Sequence, residues 1–143
     1  MPSSTFTVFH AFVEDVMEGV HNLGSDTLTV ALCAAANAPS QSSDGQLSDL
    51  TQISYTNASS RVLTVSASSH TSGLYKAIIN DLTLTASGGS IAAFRYAVVY
   101  NDTATNDELI GYLDYGSDLT IADGESLLLD FSATNGILQN SIA

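Results

Sequence analysis

IAAFRYAVVYNDTATNDELIGYLDY, residues 91–115, decides the fold class of this chain. From Ile91 to Tyr100 every residue but Arg95 is apolar or aromatic, and Phe94, Tyr96, Val98 and Tyr100 recur at every second position. That period places the four on one face of an extended strand, and β-branched and aromatic residues fit such a pleated surface. The Asx- and Thr-rich loop 101–108 then leads into a second run, Leu109–Tyr115 (LIGYLDY). Two apolar runs separated by a polar loop read as two strands.

The same punctuation extends outward. Toward the C-terminus, Gly116 predicts a turn, Leu119–Ile121 a brief strand, Asp123-Gly124 another turn, and Leu127–Ser132 (LLLDFS) a strand with Leu127, Leu129 and Phe131 on one side. Toward the N-terminus, Gly88-Gly89 separates the opening stretch from Leu74–Ala86 (LYKAIINDLTLTA), which reads as one long strand bent at Asn80-Asp81. Shorter strands are expected at Thr51–Tyr55 and Arg61–Ser66, with a turn at Asn57–Ser60 between them. Leu28, Val30 and Leu32 alternate with Thr27, Thr29 and Ala31, the pattern of a half-buried strand. Short strands with turn signals roughly every 8–12 residues predict a β-sandwich or a Greek-key, barrel-like fold.

Only the beginning of the chain has a helical period. Phe9, Val13, Val16, Met17 and Val20 recur at spacings of three and four and form one apolar stripe. Ser3, Ser4 or Thr5 is the expected cap and Gly24 the expected stop. The predicted layout is therefore mainly β: a short N-terminal α-helix over 6–22, a β-rich sandwich over 26–143, and one domain, 1–143. No repeat and no Pro/Gly linker divides it. A chain of 143 residues is long enough to bury roughly 68–70% of its unfolded surface.

Charge narrows the partners. Fifteen acids face only Arg61, Lys76 and Arg95, a net charge of −12. Nucleic acid is not an expected partner, because no basic footprint is present to displace counterions from phosphates. Anionic membranes are disfavoured for the same reason, and no apolar stretch reaches the ~18 residues of a spanning helix. The N-terminus lacks the basic start and apolar core of a secretion signal, so synthesis and folding in a cytoplasm are expected. Cys33, the single cysteine, lies in the apolar run TVALCAAA and reads as a buried, inert thiol.

Catalytic patterns fail on missing partners. The histidines are His10, His21 and His70, and the serines around His70 (SASSHTSG) form no G-x-S-x-G elbow. His10 and His21 are eleven residues apart, about three helical turns, too far to share one metal, and read as surface or interface residues. The acids Asp107, Glu108, Asp114, Asp118, Asp123, Glu125 and Asp130 flank turns, and no Trp offers the stacking platform of a sugar cleft. The loop Asn101–Glu108 is rich in oxygen ligands but lacks the glycine at position six and glutamate at position twelve of an EF-hand. An Asx-rich turn has the same composition. The chain is therefore expected not to be an enzyme, with no catalytic residue, no metal ligand set and no cofactor. Arg95 stands in a strong strand of a chain poor in cations. It is expected either to pair with a cross-strand acid such as Asp114 or to anchor an interface.

The run FRYAVVYNDTATNDELIGYLDYGSDLTIADGESLLLDF (94–131), with FHAFVEDVMEGVHNLGSDTLTVAL (9–32), resembles a family of small structural proteins of tailed bacteriophages that are similar to head decoration, or cement, proteins. The two segments cover both ends and about half of the chain. The resemblance implies a virion structural protein on the outer capsid surface, binding the major capsid protein and neighbouring copies of itself. A homo-oligomer is implied, and trimers at local symmetry axes are the arrangement analogy suggests. A tail, neck or head-fibre component of the virion, or a receptor- or carbohydrate-binding module, is the alternative. The candidate interface is the helical stripe Phe9, Val13, Val16, Met17 and Val20, together with Arg95. The polar loop 37–49, the sheet edges and the tail GILQNSIA (136–143) are further candidates.

Overall fold

The computed structural model describes residues 5–131 and 138–141, the last four by their backbone. The protein is mainly β, as the period of two predicts. Strand β1 (Thr7–Val8) leads into helix α1 (Ala11–Met17), followed by β2 (Leu28–Cys33), β3 (Val65–Thr71), β4 (Leu74–Ile79), β5 (Leu82–Thr85), β6 (Ile91–Asn101), β7 (Leu109–Ile121), β8 (Ser126–Leu129) and β9 (Leu138–Ser141). The strands form a four-stranded sheet ordered β1-β7-β6-β2, a three-stranded sheet β3-β4-β9 and a two-stranded sheet β5-β8, every pairing antiparallel.

One face of the large sheet packs on the two smaller ones. Leu28, Val30 and Leu32 of β2, Ile91, Phe94, Ala97 and Val99 of β6, and Ile110 and Leu113 of β7 share a core with Ala77 and Ile79 of β4, Leu84 of β5 and Leu129 of β8. The opposite face is also covered. Ala31, Cys33, Tyr96, Val98, Tyr100 and Leu109 lie beneath Phe9, with Leu47 and Leu50 of the long loop packed against them. All six residues of β2 are consequently buried, not the alternate ones expected. Short, mostly small side chains at Thr29, Ala31 and Cys33 are what allow the second layer to settle.

The loop 37–49 thus turns Pro39 and Leu47 inward, and its polar side chains shape its own backbone. Asp44 accepts from the Ser40 amide at 2.7 Å, and Asp49 accepts from Gly45 at 2.9 Å and Gln46 at 3.1 Å. Short 3₁₀ turns at Ala35–Asn37 and Leu47–Asp49 bracket it. Residues 51–55 are not a strand. They run along β2, where the Ile53 amide donates to Leu32 O and the Tyr55 hydroxyl accepts from the Leu32 amide. The stretch expected as Arg61–Ser66 divides: Arg61–Leu63 bridges the outer edge of β2, and β3 begins only at Val65.

Bulges account for other departures. Phe94 does not share a face with Tyr96, Val98 and Tyr100, because the β6–β7 register slips between Phe94 and Tyr96. Phe94 pairs with Leu119 and Tyr96 with Asp114, so extra β7 residues around Gly116 are accommodated between them. Gly116 takes a positive φ of 82° and lets β7 continue as one strand of thirteen residues where a turn was expected. The stretch 74–86, expected as one strand bent at Asn80-Asp81, is two strands, and these halves, β4 and β5, join different sheets.

Candidate interaction surface

The helix predicted over 6–22 is confined to Ala11–Met17, and both of its limits have local causes. Before it, Thr7 and Val8 pair with Tyr112 and Gly111 of β7, and the Phe9 amide donates to Ile110 O at 3.1 Å. Gly111 is required there: a Cβ would stand 2.6 Å from Thr7 O and collide with the Phe6 ring. At the other end Gly19, with φ of 80°, closes the helix five residues before the expected Gly24. The Gly19 amide donates to Val16 O at 3.2 Å and the Val20 amide to Asp15 O at 2.8 Å, a Schellman pair of bonds. The N-terminal residue His10 makes no side-chain cap; of the expected caps, Ser3 and Ser4 lie outside the described residues.

This short helix buries a different face from the predicted one. Phe12 enters the main core, while Val13 is 66%, Val16 38% and Met17 82% exposed. Phe9 precedes the helix and is sealed under the sheet's second face, so it is no part of an exposed stripe. Val20 follows the helix and is half-buried. Of the five stripe residues, three stand together on the outside. Val16 also borders a shallow groove shared with His21, Leu23, Gly24, Ser68 and Tyr75.

Acids surround the apolar residues. Glu14 and Glu18 are exposed beside Val13 and Met17. Burial, and then the neighbouring charges of Glu108, Glu14 and Glu18, raise the Asp15 carboxyl above its ordinary value. The helix thus carries two acids, Glu14 and Asp15, and no cation.

A polar junction that sequence reasoning missed fixes α1 in place. His21 is not a surface residue: its side chain is fully buried and stacks on Phe12, with ring centroids 5.0 Å apart. Asn101 Nδ2 lies 2.6 Å from Asp26 Oδ2 and 3.0 Å from His21 Nδ1. Asn101 Oδ1 accepts from the Thr103 and Ala104 amides, which orients the amide group. Nδ1 of His21 therefore accepts, and its proton sits on Nε2, 4.0 Å from Asp15 Oδ2 and without a hydrogen bond. Burial lowers the His21 pKa, opposed by the charges of Glu108 and Asp26. Loop 101–108 is thus shaped in part by the buried Asn101. Among the described residues, no group of three or more His, Cys, Asp or Glu is placed to hold a metal ion. Nothing in the sequence pattern distinguishes Asn101 from its polar neighbours.

Arg95 takes the first of its two expected roles. Its Nε donates to Asp114 Oδ1 at 2.7 Å and its Nη2 to Oδ2 at 3.1 Å, a two-pronged pair across β6 and β7. The guanidinium also lies 5.1 Å from the Tyr96 ring centroid. Hydrogen bonds from Arg95, and then from the Gly116 amide, hold the Asp114 carboxyl below its ordinary value despite some desolvation. Cys33 is fully buried, and burial pushes its thiol up to about 11, so it is protonated at neutral pH. The tail residues Leu138–Ser141 pair with β4 of the same chain. The remaining residues of 136–143 lie outside the described set.

Comparison of the chain with protein-family models, with curated proteins and with solved structures gives no match.

Proposed function

We propose that this chain is a non-enzymatic structural protein of a phage virion, a capsid decoration protein that docks on the outer head shell and bridges major capsid subunits. The observation that supports this reading is the apolar outer face of α1, Val13, Val16 and Met17, set among acids on a domain whose large sheet is packed on both sides. A preformed shell offers a fixed counter-surface on which such a face is desolvated, and symmetry repeats the contact many times. The acidic rim selects a counter-surface that is apolar at its centre and basic around it. A net charge of −12 discourages non-specific aggregation before docking. The phage assignment itself rests on the resemblance of segments 9–32 and 94–131.

Cryo-electron microscopy of purified virions tests the reading. Hundreds of copies on the head are expected; density confined to the tail or neck, or absence from the particle, overturns it. A binding assay with undecorated heads then tests the surface. Met17→Glu places a charge on an already exposed position, so folding is unchanged while head binding falls by about tenfold or more. Retained binding removes α1 from the interface.

A further inference from the structure

The fifteen acids are not evenly spread. None lies in 51–80, a stretch that carries Arg61 and Lys76; all fifteen lie outside it, with Arg95 as their single cationic counterpart. The longest acid-free segment of a chain of net charge −12 therefore includes the β3–β4 hairpin.

Sheet edges invite pairing with another chain, and natural proteins cover, shorten, bend or charge them. Most edges here are managed in that way. Arg61–Leu63 lies along the outer edge of β2, with the Val30 amide donating to Arg61 O and the Leu63 amide to Leu28 O. Ala58 and Ser59 cover β5 at Ala86 and Thr85. The edge of β7 beyond β1 carries Asp114 and Asp118 and bends at Gly116, while β8 is four residues long between Glu125 and Asp130. Strand β3 differs. It is seven residues long, contains no acid, Lys, Arg or Pro, and is exposed at Ser66 and from Ser68 to Thr71. Its one irregularity, between Val65 and Ala67, lies at its start and leaves 67–71 regular.

The turn fixes which backbone groups face outward. Ser72 and Gly73 both have positive φ, 51° and 83°, and form a two-residue hairpin turn of the primed kind. In such a hairpin the flanking pair, Thr71 and Leu74, is the hydrogen-bonded one, and Ser69 with Lys76 is the next. The N–H and C=O groups of Ser68 and His70 accordingly point away from β4. The Asn22–Gly24 turn sits against the Ser68 side chain on the inner face, where its Oγ is 2.8 Å from the Tyr75 hydroxyl.

We propose that two copies of this chain pair through β3, antiparallel about a two-fold axis at Ser69, joining their three-stranded sheets into one. In that register Ser69 faces Ser69 of the second copy, Ser68 faces His70, and Ala67 faces Thr71. Each Ser68–His70 pair exchanges two backbone bonds, so all the outward groups of the regular stretch are used. A second copy fits because this edge carries none of the acids that repel elsewhere, and across the axis Ser69 meets Ser69, Ser68 meets His70 and Ala67 meets Thr71 with no carboxylate among them. A basic peptide finds no acid on the edge to select it. The proposal is independent of the virion reading and of which surface α1 covers, and a two-fold pair differs from the threefold arrangement that analogy suggests.

Sedimentation equilibrium of the full chain, with amide hydrogen exchange at concentrations from about 1 μM to about 500 μM, tests it. A monomer–dimer equilibrium is expected, with the Ser68 and His70 amides gaining protection as the dimer forms. Added salt leaves the dimer unchanged or strengthens it, because screening reduces the repulsion between the acidic remainders. Ser69→Asp sets two carboxylates opposite each other at about 4.5 Å between Cα atoms and weakens the dimer roughly tenfold or more. Ser68→Pro removes one outward donor from each copy, spares the β4 ladder, and weakens it about thirtyfold. Both variants keep the wild-type circular dichroism. Should the proline variant misfold, Ser69→Asp and the wild-type exchange data still decide. A monomer at every concentration, a trimer, a dimer that salt dissolves, or a dimer indifferent to Ser69→Asp overturns the proposal.

Discussion

The β6–β7 and β3–β4 hairpins are built from the same pairing rules and end in opposite conditions. In β6–β7 both faces are covered, its one cation is matched to a carboxylate, and irregular pairing is absorbed by bulges. In β3–β4 the register from Ala67 to the turn is uniform, yet β3 is exposed over most of its length. Regular hydrogen bonding therefore does not identify the part of the molecule that carries its stability. Packing on both sides does, because burial of apolar surface is the dominant favourable term and a lone hairpin is marginal in water.

Phe94→Ala should separate the two hairpins most sharply. The ring is fully buried in the main core, so its loss costs about 3–5 kcal/mol in chemical denaturation, while Ser69→Ala on β3 stays within about 0.5 kcal/mol. Equal effects would break the contrast. Gly111→Ala comes next. The added methyl meets Thr7 O and Phe6, so β1 is pushed off β7 at a cost of about 1–3 kcal/mol. Hydrogen exchange should then show lost protection at Thr7 and Phe9, whose amides face β7, with β3 unchanged.

The pH dependence is a smaller lever, acting where α1 meets the end of β6. Burial holds His21 below its ordinary pKa, so the unfolded chain takes up the proton first. The stability from neutral His21 is complete above about pH 6.5 and declines as pH falls through that value toward the folded pKa. His21→Gln should flatten that limb in urea titrations between about pH 7 and 5. A wild-type profile with no decline there would remove His21 from the account. Least of all, Arg95→Ala should shift the denaturation midpoint only slightly, because its pair with Asp114 is partly exposed and screened. A large shift would make charge, not packing, the support of β6–β7.

Much of this was legible. The alternating runs at 28–33, 91–101 and 109–115 are strands, the chain changes direction at Asn80-Asp81 although as a division into two strands and not a bend in one, and the Arg95–Asp114 pair follows from two cross-strand residues of opposite charge. The helical stripe was legible as a period and misleading as a face. Phe12, outside the stripe, is the residue that docks, and Phe9, inside it, belongs to a strand-to-helix connection. Periodicity reports that apolar residues align, but not whether a neighbour is present to cover them. The helix stops at Gly19 and not at the expected Gly24, since a glycine's presence alone does not reveal which position takes the left-handed conformation.

Local pattern by itself determined the strands at 28–33, 91–101 and 109–115, the acidity and the acid-free stretch 51–80, because these depend on residues a few positions apart or on composition alone. Only the tertiary structure decided that β2 is buried on both faces, that Phe94 turns away from Tyr96, that Asn101 and His21 meet across eighty residues, and that β3 is left at an edge. Each of those depends on which distant segment arrives to cover a face or an edge, and such long-range pairing is a property of the whole chain's packing.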